Sequence, residues 1–510
     1  MIKLPRFEAE AGINNCLIIS YNADITSLTE HALGFLEQQN SGSKKLRRTL
    51  IVSDIVGNDK ADEVFYTNIQ QIIAKESVDR IVFIGYKLSE NSERFTLENQ
   101  LFFNTTRDFL KSDFIPQLNN EVILLRIAPE YEPIRILNHL QKLPHDTVLD
   151  VNIDALFHNV DYFRSKLSPD TKLMCMVKAS AYGSGSVEAA LALQDYGCNY
   201  FAVAFVNEGV ELVEAGITAP VLVLDTMLPA LNHLFRFKLE PAVGSFQFLN
   251  KLIDEARLHN LKKYPIHIKL DTGMHRAGFD SDDLELLVDI LKNQEVLEVK
   301  SIFSHLAGAD EATDDMDNFT LQQIQEFDTN SKYIQSRFNH KILRHTLNTA
   351  GIERFSQYNF DIARLGIGLW GVNCCNEDKL RNVCSLSTRI MQLKVVREGE
   401  TVGYNRKGLV ESDKVIALLP LGYADGIDRR LGNGNGHLFL KDGSRVPIIG
   451  NICMDLMMID VTGHKVRVGD KVVIFNDKQR ISDIAVKLDT IPYELLTRIA
   501  PRVRRVYYRQ

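Results

Sequence analysis

Apolar runs of strand length, separated by stretches with helical spacing, recur from near the N-terminus to about Gly371 and then give way to a different texture. Cys16-Leu-Ile-Ile-Ser20, Leu50-Ile-Val-Ser-Asp54, Ile81-Val-Phe-Ile-Gly85 and Val122-Ile-Leu-Leu125 are continuously apolar rather than alternating. That pattern predicts strands covered on both faces, as in a parallel sheet flanked by helices. Pro144-His-Asp146 reads as a linker. From Val148 the rhythm resumes, with strand candidates near residues 173–178, 200–205, 220–225, 266–271, 299–305 and 362–366. This is the size and pattern of a (β/α)8 barrel. After Asn373, short segments with β-branched residues alternate with turn signals such as Gly432-Asn-Gly-Asn-Gly436, Asp442-Gly443 and Val468-Gly-Asp470. They predict an antiparallel β domain. The expected architecture is α/β: a small parallel-sheet domain over residues 1–143, a barrel over 147–373 and a β domain over 374–510.

A length of 510 residues agrees with about three domains. A formal charge of −7 gives no electrostatic footprint for nucleic acid or an anionic membrane. No apolar run reaches spanning length, and Met-Ile-Lys-Leu-Pro-Arg-Phe-Glu at the start lacks the apolar centre of a signal peptide. The seven cysteines show no C-x-x-C spacing, which fits thiols in a reducing cytoplasm better than a disulfide framework. The adjacent Cys374-Cys375 read as loop residues.

Chemistry concentrates first in Leu173-Met-Cys-Met-Val-Lys-Ala-Ser-Ala-Tyr-Gly-Ser-Gly185. A buried strand there delivers the Lys178 amine to its C-terminal end, before a glycine-rich turn that opens a helix. Burial lowers an ammonium pKa and makes the neutral, nucleophilic amine accessible. Such an amine can form a Schiff base with a carbonyl, that of pyridoxal phosphate included. On local grounds alone, a lysine ending a strand is more often a solvated terminus. Lys269, in His267-Ile-Lys-Leu-Asp-Thr-Gly-Met-His-Arg276, shares a strand face with His267 and Asp271.

Val177-Lys-Ala-Ser-Ala-Tyr-Gly-Ser-Gly185 resembles the cofactor-lysine motif of alanine racemases, and further landmarks follow in that family's order. They are the His267–Arg276 segment, Phe303-Ser-His-Leu-Ala307, His345-Thr-Leu-Asn-Thr349, Ala363-Arg-Leu-Gly-Ile367, Val402-Gly-Tyr404, Leu421-Gly-Tyr-Ala-Asp-Gly426 and Gly450-Asn-Ile-Cys-Met-Asp455. The resemblance runs from about Thr147 to the C-terminus. It implies pyridoxal 5'-phosphate held by Lys178, with the phosphate against Tyr182, Asn348, Thr349 and the backbone amides of Gly366 and Ile367. A further tyrosine that some racemases place near the C-terminus aligns here with Pro501, which puts that contact in doubt. His305 is implied to stack on the pyridine ring and His345 to orient Arg364. A guanidinium can only donate, so Arg364 at the pyridine nitrogen keeps that nitrogen unprotonated and restrains side reactions.

Racemisation needs a proton removed on one face of the α-carbon and delivered on the other, most simply by two groups. The resemblance assigns Lys178 and Tyr404, the latter Tyr404 of the partner subunit in a homodimer whose active site is shared. On local grounds alone, a residue such as Tyr404 is more often a hairpin tyrosine in an edge strand. Arg276 and the Met454 backbone are implied to hold the carboxylate of L- or D-alanine, with Tyr423 lining the entry. Lys269 is implied to be carbamylated, the alternative being a plain lysine paired with Asp271 or chloride. No metal is implied.

Gly12-Ile-Asn-Asn-Cys-Leu-Ile-Ile-Ser-Tyr-Asn-Ala-Asp-Ile-Thr-Ser-Leu28 resembles the start of the C-terminal domain of the Mur ligase that adds D-alanyl-D-alanine to the UDP-N-acetylmuramoyl tripeptide. No G-x-x-x-x-G-K-[ST] phosphate loop occurs in the chain, and Leu125-Arg126 stands where a Lys-Gly pair is expected. A remnant or docking module without ligase activity is the expectation. The whole reads as a cytoplasmic, homodimeric alanine racemase supplying D-alanine for peptidoglycan. Rivals are a broader amino-acid racemase, a decarboxylase of the same architecture (which would want a glutamate where Arg364 stands), a single-domain cofactor-binding protein and a scaffold.

Overall fold

The computed structural model describes residues 7–11, 17–21, 47–54, 59–74, 78–119, 121–140 and 147–509. The Pro144-His-Asp146 linker and Cys16 lie outside the described residues. Contacts divide the chain into two units, Met1–Pro144 and His145–Gln510.

The first unit carries a sheet of β1 (Phe7–Ala11), β2 (Leu17–Tyr21), β3 (Arg47–Ser53), β4 (Arg80–Ile84), β5 (Gln100–Phe103) and β6 (Glu121–Arg126), in the order β1-β2-β6-β3-β4-β5. All neighbours are parallel except β1, which pairs antiparallel with β2 at the edge. The apolar centres Leu50, Ile51, Val52, Val82, Phe83 and Ile84 are all fully buried, as continuous runs in a sheet covered on both faces must be. Phe83 stacks between Phe95 and Phe102, at 4.7 and 4.6 Å. The short edge strands β1 and β5 add to the four strands expected from sequence.

In the second unit, β7 (Val148–Asn152) is followed by eight parallel strands: β8 (Lys172–Met176), β9 (Tyr200–Val203), β10 (Val221–Val223), β11 (Glu240–Val243), β12 (Tyr264–Lys269), β13 (Leu297–Phe303), β14 (Leu343–His345) and β15 (Ile362–Leu365). Their order is β14-β13-β12-β11-β10-β9-β8-β15. The ring closes where Asp361 N donates to Arg344 O at 3.0 Å and Arg364 N to Leu347 O at 3.0 Å. This is the expected (β/α)8 barrel, with β11 and β14 added to the strands expected from sequence.

The boundary at residue 147 needs correction. Strand β7 pairs with β16 (Cys384–Arg389) and β25 (Arg504–Tyr508) of the C-terminal sheet, not with the barrel. That sheet has six strands, completed by residues His437–Leu440, Arg445–Pro447 and Lys471–Phe475. A three-stranded antiparallel sheet is built from Gln392–Val396, Lys414–Leu419 and Met457–Asp460, and Thr401–Val402 pairs with Gly408–Leu409. Among the described residues, no helix is long and apolar enough to cross a membrane, and no group of three or more His, Cys, Asp or Glu could hold a metal ion.

Candidate active site

Lys178 follows the end of β8 and opens an unusual turn. Ala179, Ser180, Ala181 and Tyr182 all adopt positive φ, between 48° and 55°, a single turn of left-handed helix. Each such residue costs about 1–2 kcal/mol, so neighbours must hold the turn. Ala179 N donates to the Glu208 carboxylate at 2.6 Å, and Gly183 N to Ala179 O at 2.9 Å. From β25, Arg505 donates through Nε and Nη2 to Gly183 O at 3.1 and 2.8 Å, and the Tyr507 hydroxyl donates to Ser184 O at 2.6 Å. The C-terminal strand thus clamps the loop that presents Lys178.

The presented amine faces a cavity of about 310 Å³ at the C-terminal ends of the barrel strands, where active sites of this fold gather. Of the residues singled out from sequence, it brings together Lys178, Tyr182, Lys269, Arg276, His305, Asn348, Thr349, Arg364, Gly366 and Ile367. Burial, then the nearby Arg276 charge, lowers the Lys178 pKa. The same two causes, in the same order, lower that of Lys269. Among the described residues no carboxylate lies within ion-pair distance of either amine. Asp271 instead accepts from Gly273 N and His275 N, both at 3.0 Å, which argues against a Lys269–Asp271 pair. Among the described residues, the only carboxylate lining the cavity is Asp225, just past β10; its place after a barrel strand is the signal that could have found it.

Arg364, 3 % exposed, is held on all sides. Its Nη1 donates to His345 Nδ1 at 2.8 Å and to His345 O at 3.2 Å. Its Nη2 donates to Ser304 O at 2.7 Å and Thr346 O at 2.9 Å, and lies 3.4 Å from His305 Nδ1. Burial works against the charge, yet a guanidinium stays protonated across the working range. His345 sits behind Arg364, fully buried and stacked at 5.0 Å on Phe303. Burial, then Arg364, holds the pKa values of both His305 and His345 well below the usual imidazole range, so both are neutral.

At the far wall, Asn348 accepts from Gly351 N at 2.8 Å and caps helix Thr349–Arg354. Gly366 N donates to Thr349 Oγ1 at 3.0 Å. Sequence alignment put Pro501 at the place of a further tyrosine; the structure corrects this. Pro501 is exposed, while Tyr493 lines the cavity with its ring 5.9 Å from that of Tyr182. Pro492 at the first position of helix Pro492–Thr497 is the helix-start signal that would have drawn attention to it.

Tyr404, Tyr423 and Met454 do not reach this cavity in their own chain. All three lie on loops of the β domain. They cluster there, since Tyr423 N donates to Cys453 O, Ala424 N to Met454 O, and Asn451 Nδ2 to Tyr404 O. All three are exposed, Tyr404 at 67 %. Gly403 at φ 78°, Asn405 at 59° and Arg406 at 53° fix the loop around Tyr404.

Residues 151–374 match the family description "Alanine racemase, N-terminal domain" and residues 383–507 "Alanine racemase, C-terminal domain". The chain is 37% identical over 372 residues to alanine racemase 2 of Caldanaerobacter subterraneus subsp. tengcongensis, covering 71% of this chain and 94% of that protein. It is 36% identical over 372 residues to alanine racemase 1 of Clostridium acetobutylicum, at 70% and 94% coverage. The solved alanine racemase of Clostridium difficile superposes with a TM-score of 0.68 at 31% identity, over 72% of this chain and 97% of that one. The Bartonella henselae enzyme, solved with covalently bound pyridoxal phosphate, gives a TM-score of 0.65 at 28% identity, over 72% and 100%. A cavity at a barrel mouth, two uncommitted amines, a clamped arginine and these matches over nearly the full length of the relatives place the chain in the alanine racemase family.

Proposed function

We propose that this chain interconverts L- and D-alanine with pyridoxal 5'-phosphate as cofactor, Lys178 serving one face of the substrate and Tyr404 of the partner subunit the other. The observation that carries the reading is the cavity itself, which gathers Lys178, whose pKa burial lowers, with Arg276 and a polar cradle of Tyr182, Asn348 and Thr349. The cradle fits the cofactor. The Tyr182 hydroxyl, on a residue only 4 % exposed, has no hydrogen-bond partner among the described residues. A Cβ on Gly366 would come within 2.9 Å of it, so only glycine leaves that space open. Tyr182, Asn348, Thr349, Gly366, Ile367 and Tyr493 would hold the phosphate end, Lys178 the carbonyl end, and Arg364 the ring nitrogen beside His305.

Bound there, pyridoxal phosphate supplies an electron-withdrawing system that acidifies the substrate's α-C–H bond. Lys178 takes or returns that proton through its amine, whose pKa burial lowers. Arg276 pairs with the substrate carboxylate. Tyr404, Tyr423 and the Met454 backbone are exposed together and complete the site when a second copy presents them. Tyr423 narrows the entry toward a methyl side chain. D-alanine made this way feeds peptidoglycan. A two-direction racemisation assay across small amino acids, with the cofactor absorbance recorded alongside, tests the reading. Racemisation confined to other amino acids, or none with the cofactor bound, would contradict it.

Lys269 supports a carbamate. Lys178, Lys269, Arg276 and Arg364 face one cavity against, among the described residues, the single carboxylate of Asp225. A neutral amine attacks carbon dioxide, the nitrogen loses a proton, and the product is an anion able to bridge to Arg276. Lys269→Ala should lower racemisation roughly a hundredfold, the scale of removing one preorganised charge from a site, with partial recovery in short-chain carboxylates. Intact mass measurement of the active protein checks the added carboxyl group; its absence at full activity would refute the carbamate.

The domain reading is Mur-ligase-like over residues 1–143, a barrel ending at 373, and a β domain over 374–510 that also takes in β7. The parallel core β2-β6-β3-β4-β5 supports an independent α/β domain, and the lack of a phosphate loop argues against ligation, leaving a docking module or a remnant. Deleting residues 1–143 should leave racemisation unchanged. ATP turnover coupled to a muramoyl peptide in the full chain would overturn this.

A further inference from the structure

Behind Arg364 a chain of buried polar groups runs through the barrel interior, on residues that carry no part of the reaction proposed above. His345 Nε2 lies 2.9 Å from Ser301 Oγ, and Ser301 Oγ 2.5 Å from His267 Nδ1. His267 Nε2 lies 2.9 Å from Glu240 Oε2. Glu240 also accepts from the Tyr200 hydroxyl and from Lys300 Nζ, the latter at 2.5 Å. Ser301, His267 and His345 are each 0 % exposed and Glu240 is 5 % exposed.

With one proton on each imidazole, the two ends decide the direction of every link. Arg364 has no lone pair to offer and can only donate, so His345 Nδ1 must accept. His345 is then the neutral tautomer with its proton on Nε2, and it donates to Ser301. The Ser301 hydroxyl has one proton, which it passes to His267 Nδ1. His267 in turn carries its proton on Nε2 and donates to Glu240. At that end Glu240 also meets the Lys300 ammonium and the Tyr200 hydroxyl, both donors to its carboxylate, so it accepts from His267 as well. The chain therefore runs from a donor-only group to an acceptor-only group, and no proton can be reversed without breaking a link.

We propose that Ser301 and His267 are positioning residues for the racemase reaction: through this one-way chain they lock His345 in the tautomer that accepts from Arg364, and so fix Arg364 toward the cofactor. With the tautomer free, His345 could turn an N–H against the Nη1 of Arg364, two donors would face each other, and the guanidinium would lose its best side-chain contact. Arg364 would then guard the ring nitrogen less well, and errors of proton return would rise. The inference rests on the function proposed above, with a readout that does not depend on turnover.

The full chain, labelled with 15N-histidine, is examined with and without pyridoxal phosphate. His267 and His345 should both show the neutral Nε2–H pattern at about pH 8, above the ordinary imidazole pKa. An Nδ1–H or doubly protonated ring at either position overturns the proposal while leaving the racemase reading intact. Ser301→Ala should mix the His345 tautomers. It should also raise pyruvate and pyridoxamine phosphate formed per racemisation turnover about tenfold, the factor that one hydrogen bond corresponds to. Ser301→Thr, which keeps the hydroxyl, should restore both. A wild-type tautomer pattern and product ratio in Ser301→Ala would overturn the proposal. Should Ser301→Ala fail to fold, the wild-type spectrum still decides it.

Discussion

Replacement of Lys178 by alanine should abolish racemisation in both directions and remove the absorbance of lysine-bound cofactor. The expected loss is at least about a thousandfold, because a general acid–base group contributes roughly 10²–10⁴ and the cofactor's covalent anchor goes with it. The fold should survive. The left-handed turn after Lys178 is pinned through the Ala179 amide and the Gly183 and Ser184 carbonyls, none of which involves the lysine side chain. Cofactor should still be retained weakly through its phosphate cradle. The sharpest rival is Lys269, a second amine in the same cavity, also lowered in pKa by burial and Arg276. Borohydride reduction followed by peptide mapping separates the two. A label on Lys269, with the absorbance intact in Lys178→Ala, would overturn the assignment.

The parts of this fold that could be read from the sequence are those whose side chains are uniformly apolar. Strands β3, β4 and β6 carry buried runs such as Leu50-Ile-Val52 and announce themselves. Strand β11 is Glu-Pro-Ala-Val and β14 is Leu-Arg-His; both escaped because the barrel interior at that level is polar. Glu240 and His345 point into a hydrogen-bonded chain, not into a hydrocarbon core. Strand β7 was misassigned for another reason: its partner β16 begins more than two hundred residues later, and local periodicity carries no information about such pairing. The turn at Ala179–Tyr182 contains no glycine, so residue preferences point to a right-handed helix. Only the clamp from β25 shows why it winds the other way. The cavity residues near Lys178 came from motifs at strand ends. Tyr493 did not, because its helix arrives from the far end of the chain.

Tyr404→Phe should leave folding and cofactor absorbance unchanged while removing proton transfer on one face only. The side chain is 67 % exposed, and its hydroxyl has no hydrogen-bond partner among the described residues, so stability should move by no more than about 0.5 kcal/mol. In deuterated water, exchange at the α-carbon of D-alanine should persist through Lys178. Exchange from L-alanine should fall by roughly 10²–10⁴, the worth of a positioned acid–base group. Equal loss from both enantiomers would contradict the assignment of one face to each residue. The same variant tests whether the site is shared. In one chain Tyr404 lies on an exposed face away from the Lys178 cavity, so two inactive variants should complement each other. A dimer of one Lys178→Ala chain and one Tyr404→Phe chain carries both lesions in one site and none in the other. Mixing equal amounts and allowing subunits to exchange should recover about a quarter of the wild-type rate, since about half of the dimers are mixed and each holds one whole site. No recovery after demonstrated exchange would mean that Tyr404 acts within its own chain or not at all.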